Sequence, residues 1–252
     1  MRIVRFRHNS REEWGVLKGG RVFALKGHNF ERIELSKVSF SLDKVKLLPP
    51  AVPSKIILVG LNYRDHAKEL NMPLPKEPII FLKPNTSLLA HKESIIYPKG
   101  VKRLDYEAEL AFVIKKEGKK ISLKNAGDYI LGYTCLNDVT ARDLQKKDIQ
   151  WTRAKSFDTF CPLGPWIETE INPRKLKIYS YLNGKLKQNS STANFIFSVP
   201  VLVSFLSKVM TLFPGDVIST GTPPKVGPMK PGDTIEIEIE GIGKLTNKVK
   251  EG

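Results

Sequence analysis

Apolar and polar positions alternate with a period of two along many short runs of this chain, and only one long stretch follows the helical period. Side chains on a strand point to opposite faces in turn, so a period of two predicts strands. Near the N-terminus, "RIVRFRH" and "EWGVLKGGRVFAL" read as short strands, the second turning at Gly19 and Gly20. "KIILVG" reads as a buried strand, and "IIFLK" and "DYILGYTCLND" as two more. "KIYSYLNGKLKQ" has the form of a hairpin around Asn183 and Gly184. In "PGDTIEIEIEGIGKLTNKV" Ile alternates with acid, which predicts one half-buried strand ending in a Gly turn.

The helical period appears in "SVPVLVSFLSKVM", the one long amphipathic helix. "LNYRDHAKEL" reads as a short helical or loop segment, and "VTARDLQKK" as a short helix begun by Asp138 or Thr140. Strands outnumber helices, with no βαβ rhythm and no internal repeat, so the class is α+β and β-dominated. The Pro cluster in "LLPPAVPSK" marks a boundary. It divides the chain into a small N-terminal β-rich domain, residues 1–52, and a main domain, residues 53–252.

One run departs from simple alternation. In "RLDYEAELAFVIKK" one strand face is Tyr106, Ala108, Leu110, Phe112 and Ile114, all apolar or aromatic. The other is Asp105, Glu107 and Glu109, giving way to Ala111 and Val113. Like charges at this spacing repel, and a partly buried carboxylate is costly unless something pairs with it. The acidic end therefore faces water or surrounds a cation. Glu107 and Glu109 can offer oxygens to a hard cation such as Mg²⁺, and Asp138, where an apolar strand turns into a helix, is a third candidate. No Cys or His cluster suggests zinc or a softer metal.

Composition narrows the remaining choices. At 252 residues and 41% hydrophobic, the chain is long enough for a sizeable core. No apolar run reaches transmembrane length, and the start lacks the apolar core of a signal peptide. Cys135 and Cys161 are the only cysteines, which fits a reducing compartment, and the expected location is cytoplasmic. The net charge is +15, but Lys and Arg are scattered and no nucleic-acid module is recognisable, so the field favours small anionic substrates over nucleic acid. Three Gln against plentiful Lys and Glu fits adaptation to heat.

Other polar groups stand at spacings with chemical meaning. His66 and Glu69, three apart on a helical turn, share a face, where a carboxylate can orient an imidazole as general base; an exposed ion pair has the same pattern. Lys155 and Asp158 lie among aromatic and Pro residues in "WTRAKSFDTFCPLGPW". Arg142 and Gln145 can present donors to a carboxylate. The turn "VISTGTPPKVGP" offers amides and the Thr222 hydroxyl to an anion.

Seven segments in order, "VGLNYRDHAKEL", "FLKP", "LDYEAELAFVI", "GYTCLNDVTARDLQ", "KSFDTFCPLGPW", "LNGKLKQNSST" and "PGDVISTGTPPKVG", resemble the fumarylacetoacetate hydrolase family. The resembling form includes acylpyruvate hydrolases, oxaloacetate decarboxylases and 2-hydroxyhepta-2,4-diene-1,7-dioate isomerases. The resemblance implies a mixed β-sandwich roll, usually dimeric, carrying Mg²⁺ or Mn²⁺ on Glu107, Glu109 and Asp138. It implies a base dyad of His66 and Glu69 on a lid, Lys155 beside the metal, and Arg142, Gln145 and Thr222 as substrate contacts. The expected activity is hydrolytic C–C cleavage of a 2-oxo or 2,4-dioxo acid through a metal-stabilised enolate, with isomerisation or decarboxylation as alternatives. A basic binding protein without activity is the reading from another class. After "FLKP", the stretch "NTSLLAHKESIIYP" departs from the family's Gly-rich turn, and His91 and Lys92 are extra polar groups there.

Overall fold

The strand Ala108–Ile114 sits in the middle of the molecule, and all seven of its residues are buried. The structure, a computed structural model, describes residues 1–27 and 29–252. Leu110, Phe112 and Ile114 join one apolar cluster with Ile178, Ile235, Ile237, Ile239 and Leu245 of a second sheet. Ala111 and Val113 point the other way, into a cluster with Ile56, Leu58, Leu163 and Val217. The two faces drawn from the sequence are therefore both core, as expected of a strand covered on both sides.

A long mixed sheet carries this strand. Its neighbours are Ile130–Asn137 and Val217–Ser219, followed outward by Ile56–Val59 and Ile80–Lys83 on one side and Cys161–Glu168 on the other. Val217–Ser219 runs parallel to Ile56–Val59, while the other central pairings are antiparallel. A five-stranded sheet packs across it in the order Lys185–Ser191, Lys177–Leu182, Thr234–Ile239, Gly243–Glu251, Ser94–Tyr97. The result is the β-dominated sandwich expected, with four α-helices among the described residues. These are α1 (Arg64–Glu69), α2 (Arg142–Lys147), α3 (Thr152–Lys155) and α4 (Val199–Val209), the last being the amphipathic helix.

The N-terminal strands Arg2–His8, Arg11–Lys18, Arg21–Leu25 and Leu35–Ser41 form a meander over a small core of Val4, Phe6, Val22 and Ala24. Arg2 and Ile3 pair with Glu168 and Ile167, so this meander continues the long sheet. Behind the Pro cluster, the fully buried Asp216 carboxylate accepts the amides of Ser54, Lys55 and Phe213 and pairs with the Lys55 ammonium.

Three elements differ from the sequence reading. The acidic run is not one strand: it breaks at Glu107. Leu104–Tyr106 belongs to a separate three-stranded sheet with Thr140–Ala141 and Gly227–Met229. At the break two side chains replace ladder partners: Asn137 Oδ1 accepts Glu107 N at 2.9 Å, and Gln188 Oε1 accepts Ala108 N at 3.0 Å. Second, α2 begins at Arg142 rather than at Asp138 or Thr140, because Thr140 and Ala141 remain extended and pair with Asp105 and Leu104. Third, the Ile–acid alternation continues past its Gly turn into another strand, Gly243–Glu251, paired antiparallel with Thr234–Ile239. Among the described residues, no helix is long and apolar enough to cross a membrane.

Candidate active site

The strand break turns Glu107 away from the ladder and toward a cavity of about 530 Å³ beside the C-terminal end of Ile56–Val59. Asp138 is brought to the same place by its own amide, which donates to Glu107 O at 2.9 Å. Glu107, Glu109 and Asp138 are all buried, and one oxygen from each lies within 4.8 Å of the others. The cavity is also lined by His66, Arg142, Gln145, Lys155 and Thr222. Eight of the nine sequence-selected residues thus share one cavity. The ninth, Glu69, stands behind His66.

Cations surround the acids. The Lys155 ammonium lies 3.0 Å from Glu107 Oε2 and also pairs with Asp138 Oδ2. Arg142 reaches Glu107 and, at 2.9 Å, Asp105, which Arg103 also holds at 2.8 Å. Asp105 is therefore satisfied by two guanidiniums and stands apart from the triad. Burial raises the Glu107 carboxyl, but Lys155 and Arg142 outweigh it and hold the group well below the usual range. Glu109 has no such partner. Burial pushes it well upward, and the neighbouring Asp138 and Glu107 charges add to the rise. Its carboxylate accepts Gly221 N at 2.9 Å and the Ser219 hydroxyl.

The base dyad has the geometry its spacing predicts. His66 Nδ1 lies 2.9 Å from Glu69 Oε2, and Glu69 is held in turn by Lys225 N at 3.0 Å. With Nδ1–H donated to a carboxylate, Nε2 carries the lone pair. Helix α1 is anchored from behind: Arg64 donates to Phe195 O, and Asp65 accepts from Ser190 and Asn194. The turn amides expected to hold an anion are used internally, Gly221 N on Glu109 and Lys225 N on Glu69. Thr222 still faces the cavity.

Residues 55–250 match the family described as Fumarylacetoacetate (FAA) hydrolase C-terminal, and residues 1–50 match one described as Rv2993c-like, N-terminal. The chain belongs to the fumarylacetoacetate hydrolase family. An uncharacterized protein of Archaeoglobus fulgidus is 62% identical over 206 residues, 82% of each chain. The mitochondrial oxaloacetate tautomerase fahd2 of Xenopus laevis is 45% identical over 222 residues, 83% of this chain and 70% of that one. The 5-carboxymethyl-2-hydroxymuconate delta-isomerase structure from Mycobacterium smegmatis superposes with a TM-score of 0.95 at 41% identity, covering all of both chains.

The carboxylate triad of this fumarylacetoacetate hydrolase family member fits a metal ion through the chemistry of its donor set. Its donors are three hard oxygens within reach of one ion. The buried Asp138 Oδ1 also meets the Lys83 ammonium, at 2.6 Å. Lys83 was not singled out from the sequence, nor were Arg103, Asn137 and Gln188. A lysine closing the apolar strand in "IIFLKP" was the available signal, since a buried ammonium needs a partner. Lys83 finds three: Asp138, Val139 O at 3.1 Å, and Phe160 O. Asp158 does not line the cavity. His91 does not line the cavity; its Nδ1 accepts Thr246 N at 3.1 Å.

Proposed function

We propose that the protein is a divalent-cation-dependent enzyme that moves a proton at the carbon beside the keto group of a 2-oxo acid, interconverting keto and enol forms of an oxaloacetate-like substrate. The observation that carries this reading is the His66–Glu69 dyad opening on the same cavity as the Glu107, Glu109 and Asp138 cluster. The names of two similar proteins, a tautomerase and a delta-isomerase, both denote proton shifts and support it.

Glu107, Glu109 and Asp138 would hold Mg²⁺ or Mn²⁺, which would supply Lewis-acid polarisation to a keto group. His66 Nε2 takes a proton from the carbon beside the keto group and, as imidazolium, gives it to the keto oxygen to form the enol; in the reverse direction it takes the enol O–H proton and returns it to that carbon. Glu69 stabilises the imidazolium formed meanwhile. Gln145 uses its oxygen on Arg142 at 2.6 Å, which leaves its amide N–H groups for a substrate carboxylate, together with the Thr222 hydroxyl. Lys155 pairs with both Glu107 and Asp138 and holds the two carboxylates in place.

A second reading, hydrolytic C–C cleavage of an acylpyruvate, is favoured by one wall of the cavity. Leu61, Leu70, Met72, Ile79, Phe81 and Trp151 offer apolar room beyond the charged groups, enough for an acyl tail. There His66 Nε2 activates a water instead. The test follows enol oxaloacetate spectroscopically, with an acylpyruvate in parallel, on protein stripped of metal and then given Mg²⁺ or Mn²⁺. Metal-dependent loss of enol is expected, and His66→Ala should slow it by about 10²–10⁴-fold while Mn²⁺ binding persists. Acylpyruvate cleavage without tautomerisation would establish the second reading in its place.

A further inference from the structure

We infer that Gln188 is a positioning residue that sets the direction in which the Thr222 hydroxyl donates, and thereby the affinity for the anionic head of the substrate. The inference rests on the proposed substrate contact of Thr222 and extends it to a residue outside the cavity.

Gln188 is fully buried in the strand Lys185–Ser191, and every polar atom of its side chain is engaged. Its Oε1 accepts Ala108 N at 3.0 Å, and its Nε2 donates to Pro223 O at 2.8 Å and to Thr222 Oγ1 at 2.9 Å. The orientation of a glutamine amide is ordinarily ambiguous between its two ends. Here it is not, because Ala108 N–H is solely a donor and the Pro223 carbonyl solely an acceptor. The second amide proton therefore points at Thr222 Oγ1, which must accept.

A hydroxyl that accepts from one side has a single proton left to give. The protein acceptor in reach is Pro223 O at 3.5 Å, too long for a good bond. The remaining direction for that proton is the cavity that Thr222 lines. Gln188 thus fixes a donor facing an anion site, and through Ala108 N it ties that donor to the strand break beside Glu107.

The experiment compares Gln188→Met, Thr222→Val and the double variant, each loaded with Mn²⁺. Calorimetry measures Mn²⁺ affinity and the affinity for oxalate, an inert mimic of the 2-oxo acid head. Kinetics with oxaloacetate give kcat and KM separately. Gln188→Met should weaken oxalate and raise KM by about tenfold, with kcat and Mn²⁺ affinity within about twofold of the parent. Thr222→Val should do the same, and the double variant should be no worse than Thr222→Val alone, since the two act through one proton. If Gln188→Met does not fold, Gln188→Glu serves. It keeps the acceptor for Ala108 N, turns the donor into an acceptor and should weaken oxalate further by drawing the Thr222 proton to itself.

Normal oxalate binding by Thr222→Val would remove Thr222 as a substrate contact, and the inference with it. Weakened binding by Thr222→Val alone, with the Gln188 variants normal, would overturn the inference and leave the contact standing. Additive losses in the double variant, or loss of Mn²⁺ affinity in step with oxalate, would reduce Gln188 to a structural role.

Discussion

At the residue scale, the candidate site is a matter of which carboxylate has which cation. Glu107 is claimed by Arg142 and Lys155, Asp138 by Lys83 and Lys155, and Glu109 by neutral donors alone. Glu107→Gln leaves an amide that still accepts one hydrogen bond but carries no charge. Loss of an outer partner of a metal ligand weakens binding by about 10–100-fold, so loss of the ligand's charge should weaken Mn²⁺ by about 100-fold or more. Calorimetry with Mn²⁺ measures this directly, and circular dichroism should show the fold retained. Full-strength Mn²⁺ binding by the variant would remove Glu107 from the ligand set. The acids were legible in the sequence because spacing two on a strand brings Glu107 and Glu109 together. Lys83 was not, because its long side chain reaches groups far away in the chain, Val139 O and Phe160 O.

At the scale of elements, side chains do work that backbone ladders do elsewhere. Asn137 and Gln188 accept the two amides at the break between Leu104–Tyr106 and Ala108–Ile114. Asp216 does the same where the segment after the Pro cluster meets Val217–Ser219, accepting three amides and the Lys55 ammonium. Removing one partner of a buried pair leaves the other groups unsatisfied. Asp216→Ala should therefore destabilise the protein by about 3–5 kcal/mol in urea unfolding, with little change in the dependence on denaturant. A loss below about 1 kcal/mol would show that water satisfies these groups instead. Sequence periodicity identified these strands but missed the break and began α2 too early, since both depend on partners supplied by other segments.

At the scale of the whole molecule, one sheet runs from the N-terminal meander through the catalytic strands, so distant parts of the chain share a fold and a stability. His91 links the turn before Ser94–Tyr97 to Gly243–Glu251 through its acceptor Nδ1. Burial lowers its pKa from 6.5 to about 4, with the Lys92 charge adding to the effect. The folded state therefore binds a proton less readily than the unfolded chain. This contribution to stability is complete above pH about 6.5 and is lost as pH falls toward about 4. Thermal melts between pH 7.5 and 4.5 should show it, and His91→Asn, which offers an acceptor that does not titrate, should flatten that part of the profile. Identical profiles for the two proteins would place the acid sensitivity elsewhere. Cys135 and Cys161 are both free thiols in the core, in keeping with the absence of any disulfide framework.

By itself the sequence determined the β-dominated class, the two faces of the central strand, the amphipathic helix and eight of the polar and charged residues that line the cavity. These follow from local spacing and from the cost of burying unpaired charge, which the order of residues already expresses. Only the tertiary structure decided that Asp105 leaves the acid cluster for two arginines, that Lys83 joins it, and that Gln188 stands behind Thr222. Apart from the pairing of Arg103 with Asp105, each of those outcomes is a contact between segments far apart in the chain. Hydrogen bonding and charge pairing at about 3 Å depend on where folded segments meet, and no period within one segment encodes that.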